Sequence, residues 1–333
     1  MCAEYYSGER IRSRGMPFNF IIGGRGIGKT YDFITHFIKN DVFHMYLRRC
    51  QKEIDLTVNK HINPYAVPSR DLKAHYEIVP QKDIAQILDT TDNKAPKLKG
   101  FGVALSTFSN IRGGDFSRVT DILWDEFIAE KSKRKTIKNE ADAFFNLYES
   151  VNRNREFNGE SPVRVYFLSN AVSISAEILA ELGLITVLEQ MIKDGQKFYT
   201  DPKRGICIEL AFLTGYADEK AKSALYQLTH GTRFYDHALD NKFAYDSWYN
   251  IVRRNIVEYY PVCSVCNIYI YRHKSSGKLY ATFIKSDCPK YTEDQIALFK
   301  RNHYFEIREK MIAGKMEYEN MTIKTRMEEI LPI

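Results

Sequence analysis

Short apolar runs alternate with helix-like segments over the first two thirds of the chain. The apolar runs lie at 18–22, 42–48, 101–107, 119–124 and 163–168, and a further edge strand is predicted at 206–211. The periodicity predicts helices from Thr30 to about Ile38 and from about Ala141 to Arg153. Because strands that alternate with helices form parallel sheets with both faces covered, the pattern predicts an α/β domain with a mainly parallel sheet.

The pattern changes after about residue 212. Residues 217–230 are predicted to be helical and charged, whereas strands dominate from about Ser247, with a hairpin turn at 275–277 and a helix-rich tail from Glu293. We therefore predict three parts, which are an α/β domain over 1–212, a helical linker over 213–246 and a small α+β domain over 247–333.

The loop between the first strand and the first helix matches the phosphate-binding pattern G-x-x-x-x-G-K-[ST]. Its residues are Gly23, Gly24, Arg25, Gly26, Ile27, Gly28, Lys29 and Thr30. Glycines allow backbone N–H groups to converge on phosphate oxygens, and the helix that follows directs its positive end at the same charge. Lys29 is expected to contact the β- and γ-phosphates, and the Thr30 hydroxyl to ligate Mg²⁺. The loop thus predicts binding of a nucleoside triphosphate with magnesium.

Two acids end the fourth predicted strand. Asp125 is the candidate that holds Mg²⁺, and Glu126 is the candidate base that polarises the attacking water. Taken alone, such a pair is more often an exposed acidic strand end, and the phosphate loop upstream is what favours the catalytic interpretation. A guanine-binding N-K-x-D segment is not found, since residues 93–96 end in Pro96, and small-molecule kinases usually lack the second acid. The pair therefore favours an ATP-hydrolysing motor over those classes.

Four further polar residues are candidates for the catalytic site. Asn170 ends the fifth strand, where it is predicted to sense the γ-phosphate or to orient water; Ser169 and a turn-forming Asn are the alternatives. Arg153 and Arg155 precede that strand, and either of them is a candidate arginine finger for a neighbouring subunit's ATP, unless both are simply exposed. Arg25 is expected to contact phosphate or to turn towards Glu126.

Composition adds modest constraints. The formal net charge is +6, which permits an anionic partner such as nucleic acid without requiring one. The six cysteines do not form a dense disulfide pattern, which favours a reducing compartment, and no apolar run approaches the length of a membrane span.

Six segments together resemble the DNA-packaging ATPases of phi29-type bacteriophages. They are GGRGIGKT (23–30), YLRR (46–49), ILWDEFIAEK (122–131), NRNRE (152–156), FLSNAVS (167–173) and GTRFYDHALDNKF (231–243). The phosphate loop is shared with many families, whereas RGIGK (25–29), WDEFI (124–128) and FLSNAV (167–172) together are far more specific. The resemblance extends over most of the chain.

The resemblance implies a P-loop ATPase domain of the additional-strand, catalytic-glutamate type, a linker, and a C-terminal domain similar in fold to RNase H nucleases. It also implies a homopentameric ring at the portal of an empty capsid, acting on double-stranded viral DNA in the host cytoplasm and absent from the mature virion. A scaffold packaging RNA is left open. By position, Arg153 matches the trans-acting finger, and Arg112 matches another basic residue that acts across subunits, where the family has Lys.

The C-terminal domain is expected to lack nuclease activity, because no strand-anchored acidic cluster is recognisable beyond residue 247. Its basic residues stand beside Tyr269 and Tyr271, a combination suited to nucleic-acid contact; a solvated basic face, or a surface for the portal or RNA, remains an alternative. The basic residues are Arg253, Arg254, Arg272, His273, Lys274 and Lys278. Two other functions stay open for the whole chain, namely a helicase-like remodelling ATPase and a non-hydrolysing DNA-binding structural component.

Overall fold

The protein is described by a computed structural model that covers residues 5–59, 62–128, 137, 139–171, 174, 176–213, 219–230 and 250–332. It divides into two compact units. Met1–Ser173 together with Met191–Ala244 form the N-terminal unit, and Ile174–Gln190 together with Tyr245–Ile333 form the C-terminal unit. Each unit has its own core, and each is considered by itself below.

Nine strands of the N-terminal unit form one sheet within the described residues. They are β1 Phe18–Gly23, β2 His44–Arg48, β3 Tyr76–Gln81, β4 Ile84–Asp89, β5 Lys97–Ala104, β6 Asp121–Asp125, β7 Arg164–Asn170, β8 Phe198–Asp201 and β9 Ile206–Ala211. Their order is β3-β4-β5-β2-β6-β7-β1-β9-β8, with parallel pairing from β5 to β9 and antiparallel pairing of β3, β4 and β8. The predicted α/β class with a mainly parallel sheet is therefore confirmed.

The described helices are named in chain order. They are α1 Glu9–Arg12, α2 Lys29–Lys39, α3 Gln51–Thr57, α4 Ala66–Asp71, α5 Glu140–Asn152, α6 Glu177–Glu181, α7 Ile185–Asp194, α8 Ala224–Leu228, α9 Ile296–Ile312 and α10 Met321–Ile330. Short 3₁₀ helices lie at Leu105–Ile111, Glu156–Asn158, Ile256–Glu258 and Glu293–Gln295.

Aromatic side chains pack helices onto both faces of the N-terminal sheet. Tyr166 and Phe167 are neighbours on β7 and point to opposite faces, as successive strand residues must. Phe33 of α2 lies 4.6 Å from the Tyr166 ring centroid. On the other face, the Phe144 ring of α5 stacks on Trp124 of β6 at 4.9 Å. Burial on both faces explains why β6 and β7 are continuous apolar runs rather than alternating ones.

Two sequence predictions in this unit are wrong. Residues 206–211 do not form an edge strand, because β8 pairs antiparallel with β9 and covers it. Residues 101–107 are only partly a strand, since β5 begins earlier and the chain enters a 3₁₀ helix at Leu105. The polar stretch over 50–100 also conceals the β3–β4 hairpin, whose inward residues alternate with exposed ones and give no continuous apolar run.

The C-terminal unit contains a smaller sheet of five strands in its described part. They are β10 Tyr259–Val265, β11 Ile268–His273, β12 Leu279–Thr282, β13 Lys290–Tyr291 and β14 Met316–Tyr318. β10, β11 and β12 form an antiparallel meander with the predicted turn at 275–277, and β13 and β14 add parallel strands at its two edges. Helices α9 and α10 contribute Phe299, Ile307 and Met327 to its core. The α+β prediction is confirmed, whereas the RNase H-like relationship stays a prediction.

The aromatic residues expected to face nucleic acid in the C-terminal unit do not do so. Tyr269 and Tyr271 are 6% and 2% exposed, because β11 is the central strand of the meander. The Tyr271 hydroxyl donates to the Ile284 carbonyl at 2.9 Å. These rings form part of the packed interior and offer no face on which a base can stack, so the basic residues alone carry the nucleic-acid prediction.

The three-part domain division of the sequence stays a prediction. Most of the predicted linker and the whole 231–243 motif lie outside the described residues. Among the helices that are described, none combines the length and the apolar content that crossing a bilayer requires.

Candidate functional site

The phosphate-binding loop follows β1 and leads into α2, as the motif requires. Gly26 and Gly28 have φ angles of +77° and +96°, which lie in the left-handed region that favours glycine. Gly23 is required for another reason, since a Cβ there would lie 2.2 Å from the Ala211 carbonyl oxygen on β9. The Tyr6 amide donates to the Ile27 carbonyl at 2.9 Å, so the N-terminal segment supports the loop from outside.

The Lys29 ammonium group lies within the curve of this loop. It donates to the Gly24 carbonyl at 2.7 Å and to Asn170 Oδ1 at 3.3 Å. Burial lowers the pKa of Lys29 to about 8; Asp125 opposes this shift and Lys220 adds to it. A buried cation with a lowered pKa gains much from an anionic ligand, so the loop is prepared for phosphate oxygens.

Thr30 and Asp125 meet at the edge of the sheet. The Thr30 hydroxyl donates to Asp125 Oδ1 at 3.0 Å, and Tyr46 Oη donates to Asp125 Oδ2 at 2.9 Å. The contact joins the phosphate loop to the carboxyl end of β6, although 95 residues separate the two in the chain. A hydroxyl and a carboxylate oxygen in contact are hard ligands of the kind that Mg²⁺ prefers, so the two predicted metal ligands suit that ion.

Glu126 is held by an arginine that the sequence analysis did not single out. Arg48 ends β2, and its Nη2 donates to Glu126 Oε2 at 2.7 Å while Nη1 lies 3.3 Å from Asp125 Oδ2. Burial works against the guanidinium charge, but nearby groups, Asp125 and Glu126 among them, keep the pKa of Arg48 above its usual range. Glu126 has a φ of +56°, and its side chain is 45% exposed.

Asn170 lies between the loop and the acids, as predicted from its place at a strand end. β7 pairs with β1 on one side and with β6 on the other, so an additional strand separates the phosphate loop from Asp125. The alternative, Ser169, is 3% exposed, and its hydroxyl donates to the Asn170 carbonyl. Of the two, only Asn170 contacts Lys29.

A second lysine reaches the phosphate loop. Lys220 Nζ donates to the Arg25 carbonyl at 2.6 Å, and its ammonium lies 5.1 Å from the centroid of the Tyr226 ring in α8. The Arg25 side chain is exposed. Lys220 escaped prediction because it belongs to no motif, and nothing in the local pattern indicates that this segment returns to the loop.

The arginine-finger candidates lie on a different set of elements. Arg153 follows α5 and is exposed, with Nη2 donating to the Gly114 carbonyl at 2.7 Å. Arg112 is also exposed, at the end of the 3₁₀ helix Leu105–Ile111. Among the described residues, neither arginine contacts Lys29, Asp125 or Glu126 of its own chain, and the trans role of both stays a prediction.

Sequence comparison connects the chain to viral DNA packaging. The family described as "Podovirus DNA encapsidation protein (Gp16)" matches residues 2–312. The "DNA packaging protein" of Bacillus phage B103 is 32% identical over 243 residues, which are 71% of this chain and 67% of that protein. The "DNA packaging protein" of Bacillus phage phi29 is 30% identical over 255 residues, or 75% and 69% of the two chains.

Two solved structures share the fold. A chain of "The bacteriophage Phi-29 viral genome packaging motor assembly" superposes with a TM-score of 0.68 at 22% identity, covering 98% of both chains. A chain of "The Phi-28 gp11 DNA packaging Motor" superposes with a TM-score of 0.62 at 18% identity, covering 99% of this chain and 98% of that one. At these identities the likeness establishes the fold alone.

Proposed function

The chain is a phage DNA packaging protein of the podovirus DNA encapsidation family, and from this premise we propose that it is an ATPase that drives DNA into a capsid. The observation that carries the proposal is the 3.0 Å contact between the Thr30 hydroxyl and Asp125. It places a phosphate loop and a strand-end acid close enough to share one nucleotide.

Each group at this edge has a separate task. Lys29 binds the β- and γ-phosphates, and the loop N–H groups orient them. Thr30 and Asp125 would hold Mg²⁺, which would supply positive charge against the charge that develops on the transferred phosphoryl group. Asn170 contacts Lys29 and lies on the strand between the loop and the acids, where it is placed to sense the γ-phosphate.

Glu126 is the general base that polarises the attacking water. Its ion pair with Arg48 holds the carboxylate away from that task, because Oε2 already accepts from the guanidinium at 2.7 Å. Catalysis therefore requires Glu126 to leave Arg48, and DNA binding or contact with a neighbouring subunit is the event that releases it.

The remaining steps involve other molecules. The subunits form a homo-oligomeric ring, a pentamer by family resemblance, in which Arg153 and Arg112 stabilise the phosphoryl group bound by a neighbour. The ring docks on the portal of the empty capsid in the host cytoplasm and grips the phosphate backbone of double-stranded DNA. A packaging RNA is a further candidate partner, and the C-terminal unit is the candidate surface for nucleic acid or portal.

Phosphate release with and without double-stranded DNA tests the proposal. Lys29→Ala should abolish turnover, and Glu126→Gln should retain ATP binding but stall. Lys203→Ala, an exposed lysine in the turn before β9, is the matched control and should behave as wild type. Wild-type turnover in Lys29→Ala would remove the nucleotide site from this loop.

The two alternative functions give different outcomes. A non-hydrolysing structural component releases no phosphate in either condition, although it binds DNA. A helicase-like ATPase separates the strands of a forked duplex, whereas a packaging translocase moves along blunt duplex without separating it.

A further inference from the structure

Arg153 and Arg155 are two residues apart in sequence but lie in different environments. Arg153 is exposed, whereas the Arg155 side chain is only 13% exposed. Both arginines contact the same stretch of chain, the segment 112–119, which connects a 3₁₀ helix to β6. We call these residues the 112–119 segment.

Arg155 holds the 112–119 segment through backbone carbonyls. Its Nη2 donates to the Ser117 carbonyl and, at 2.9 Å, to the Val119 carbonyl. Its Nη1 lies 3.7 Å from Glu160, which balances the charge. One guanidinium therefore joins the chain just before β6 to the turn just before β7, and Val119 is two residues from the start of β6.

Arg153 occupies a backbone conformation that few side chains adopt. Its φ and ψ are +45° and −124°, a region populated almost only by glycine. Such a conformation persists only where the surrounding contacts enforce it. Within the described residues, the Arg153 side chain donates two hydrogen bonds, to the Ser150 carbonyl and to the Gly114 carbonyl of the 112–119 segment.

We propose that Arg155 is a positioning residue that fixes the 112–119 segment against the Arg153 turn, so that Arg112 and Arg153 are presented together to a second copy of the chain. The inference rests on the proposed trans action of those two arginines. It assigns separate roles to the two neighbouring finger candidates. Arg153 reaches the partner's phosphate, and Arg155 stays in its own subunit.

The contacts decide between the two arginines. To act as a finger, Arg155 would have to leave two carbonyl acceptors and move out from a site that is nearly closed to solvent. Arg153 is already at the surface and would give up only exposed contacts. Because Gly114 accepts from Arg153 and lies two residues after Arg112, any displacement of the 112–119 segment moves both trans-acting candidates at once.

Hydrogen exchange, measured on the chain without ATP or DNA, tests whether Arg155 fixes the 112–119 segment. Arg155→Ala should raise amide exchange in the 112–119 segment at least about fivefold, since the Val119 amide donates locally to Phe116 and depends on that turn being held. Arg153→Ala should change it less, because only the Gly114 contact is lost. Unchanged exchange in Arg155→Ala would overturn the proposal, whatever the reaction turns out to be.

A double-mutant cycle on ring turnover tests the consequence. Arg153→Ala should lower kcat by at least about a thousandfold with KM for ATP little changed. Arg155→Ala should lower kcat by a smaller factor, and the double variant should fall within about threefold of Arg153→Ala, because a residue that acts through another adds little once that one is gone. If the kcat losses of the two single variants multiply in the double variant, Arg155 acts independently of Arg153, and the proposal is overturned.

Two further variants keep the test interpretable. Arg155→Gln retains amide donors for the two carbonyls, so it should recover part of the kcat that Arg155→Ala loses, even if Arg155→Ala folds poorly. A kcat no higher than that of Arg155→Ala would count against the proposal. Arg204→Ala, an exposed arginine between β8 and β9, is the control and should match wild type. If Arg153→Ala keeps full turnover, the proposed trans action of Arg153 is wrong. Hydrogen exchange alone then tests whether Arg155 fixes the 112–119 segment.

Discussion

The acidic side chains beside the sheet of the N-terminal unit differ from the acid on the sheet of the C-terminal unit in how cations pair with them. In the N-terminal unit, Arg48 is shared between Asp125 and Glu126, and the Glu126 side chain is 45% exposed. In the C-terminal unit, Glu317 on β14 is 8% exposed, and it accepts from Arg254 at 2.7 and 2.9 Å and from Lys278 at 3.3 Å.

This difference indicates whether the charged groups of each unit can still rearrange to bind a ligand. Arg48 also lies 3.7 Å from Glu53, so one cation is shared among several acids beside the buried Lys29, and these charges can rearrange as the proposed metal and phosphate site requires. One acid held by two cations is already saturated, so Glu317 is a structural group. No cluster of three or more His, Cys, Asp and Glu side chains suited to a metal is found in the part of the chain that is described, and the absence of nuclease activity stays a prediction.

The largest expected effect separates the two acids directly. Asp125→Asn should lower magnesium-dependent ATP turnover by about a thousandfold, because the metal contributes several kcal/mol to the transition state and 1.36 kcal/mol is a factor of ten. Glu317→Gln, an isosteric change of the same kind, should keep turnover within about twofold while the free energy of unfolding falls by about 1–2 kcal/mol. A large loss of turnover in Glu317→Gln would erase the contrast between the units.

The shared cation gives the next effect. Arg48→Gln frees Glu126, so basal turnover should approach the DNA-stimulated rate and their ratio should fall by about fivefold or more. Arg326→Gln removes an arginine that pairs with acids only within the C-terminal unit, and it should leave the ratio unchanged. An unaltered ratio in Arg48→Gln would mean that the ion pair does not restrain Glu126.

A pH effect on nucleotide binding should be smaller. In the ligand-free protein, Lys29 loses its proton as the pH rises through its pKa of about 8. Phosphate oxygens favour the ammonium form and raise the pKa in the complex, so ATP binding takes up a proton above pH 8. The affinity for ATP should therefore decrease above pH 8, by at most about tenfold per pH unit. Calorimetry in two buffers measures the uptake, and a flat profile would contradict it.

The last effect concerns stability rather than turnover, and it should appear in the N-terminal unit first. Burial lowers the pKa of His44 to about 4, so between pH 6.5 and 4 the unfolded chain binds a proton that the folded unit refuses. The free energy of unfolding should fall by about 3 kcal/mol over that window. In the C-terminal unit the hydrogen bond from Arg254 lowers the pKa of Glu317 below 4.5, so its contribution is lost only at lower pH, while burial lowers the pKa of the half-buried His303 and adds a smaller loss.

Denaturation of a Trp248→Phe variant measures this, because Trp124 is then the sole tryptophan and lies buried in the N-terminal unit. His44→Gln removes the titrating group and should flatten the slope between pH 6.5 and 4. A slope that persists in His44→Gln would assign the pH dependence to other groups.

Local sequence patterns were sufficient to predict those side chains that directly follow a strand. The loop ending in Lys29 and Thr30, the acids after β6 and Asn170 after β7 all follow apolar runs, and parallel strands bring their carboxyl ends to one edge. The β3–β4 hairpin and the true position of 206–211 escaped prediction, because strand order depends on pairing between distant segments that leaves no local trace.

The sequence by itself determined the fold class and predicted which side chains meet at the carboxyl edge of the sheet, since glycine conformation, strand burial and motif spacing are properties of short segments. Only the tertiary structure decided which distant group each of three cations contacts. Arg48 lies 78 residues before Glu126, Lys220 lies 195 residues after Arg25, and Arg155 reaches back 36 residues to Val119. Long flexible side chains can pair with many groups, and the packing of the sheet and its connections selects one of them.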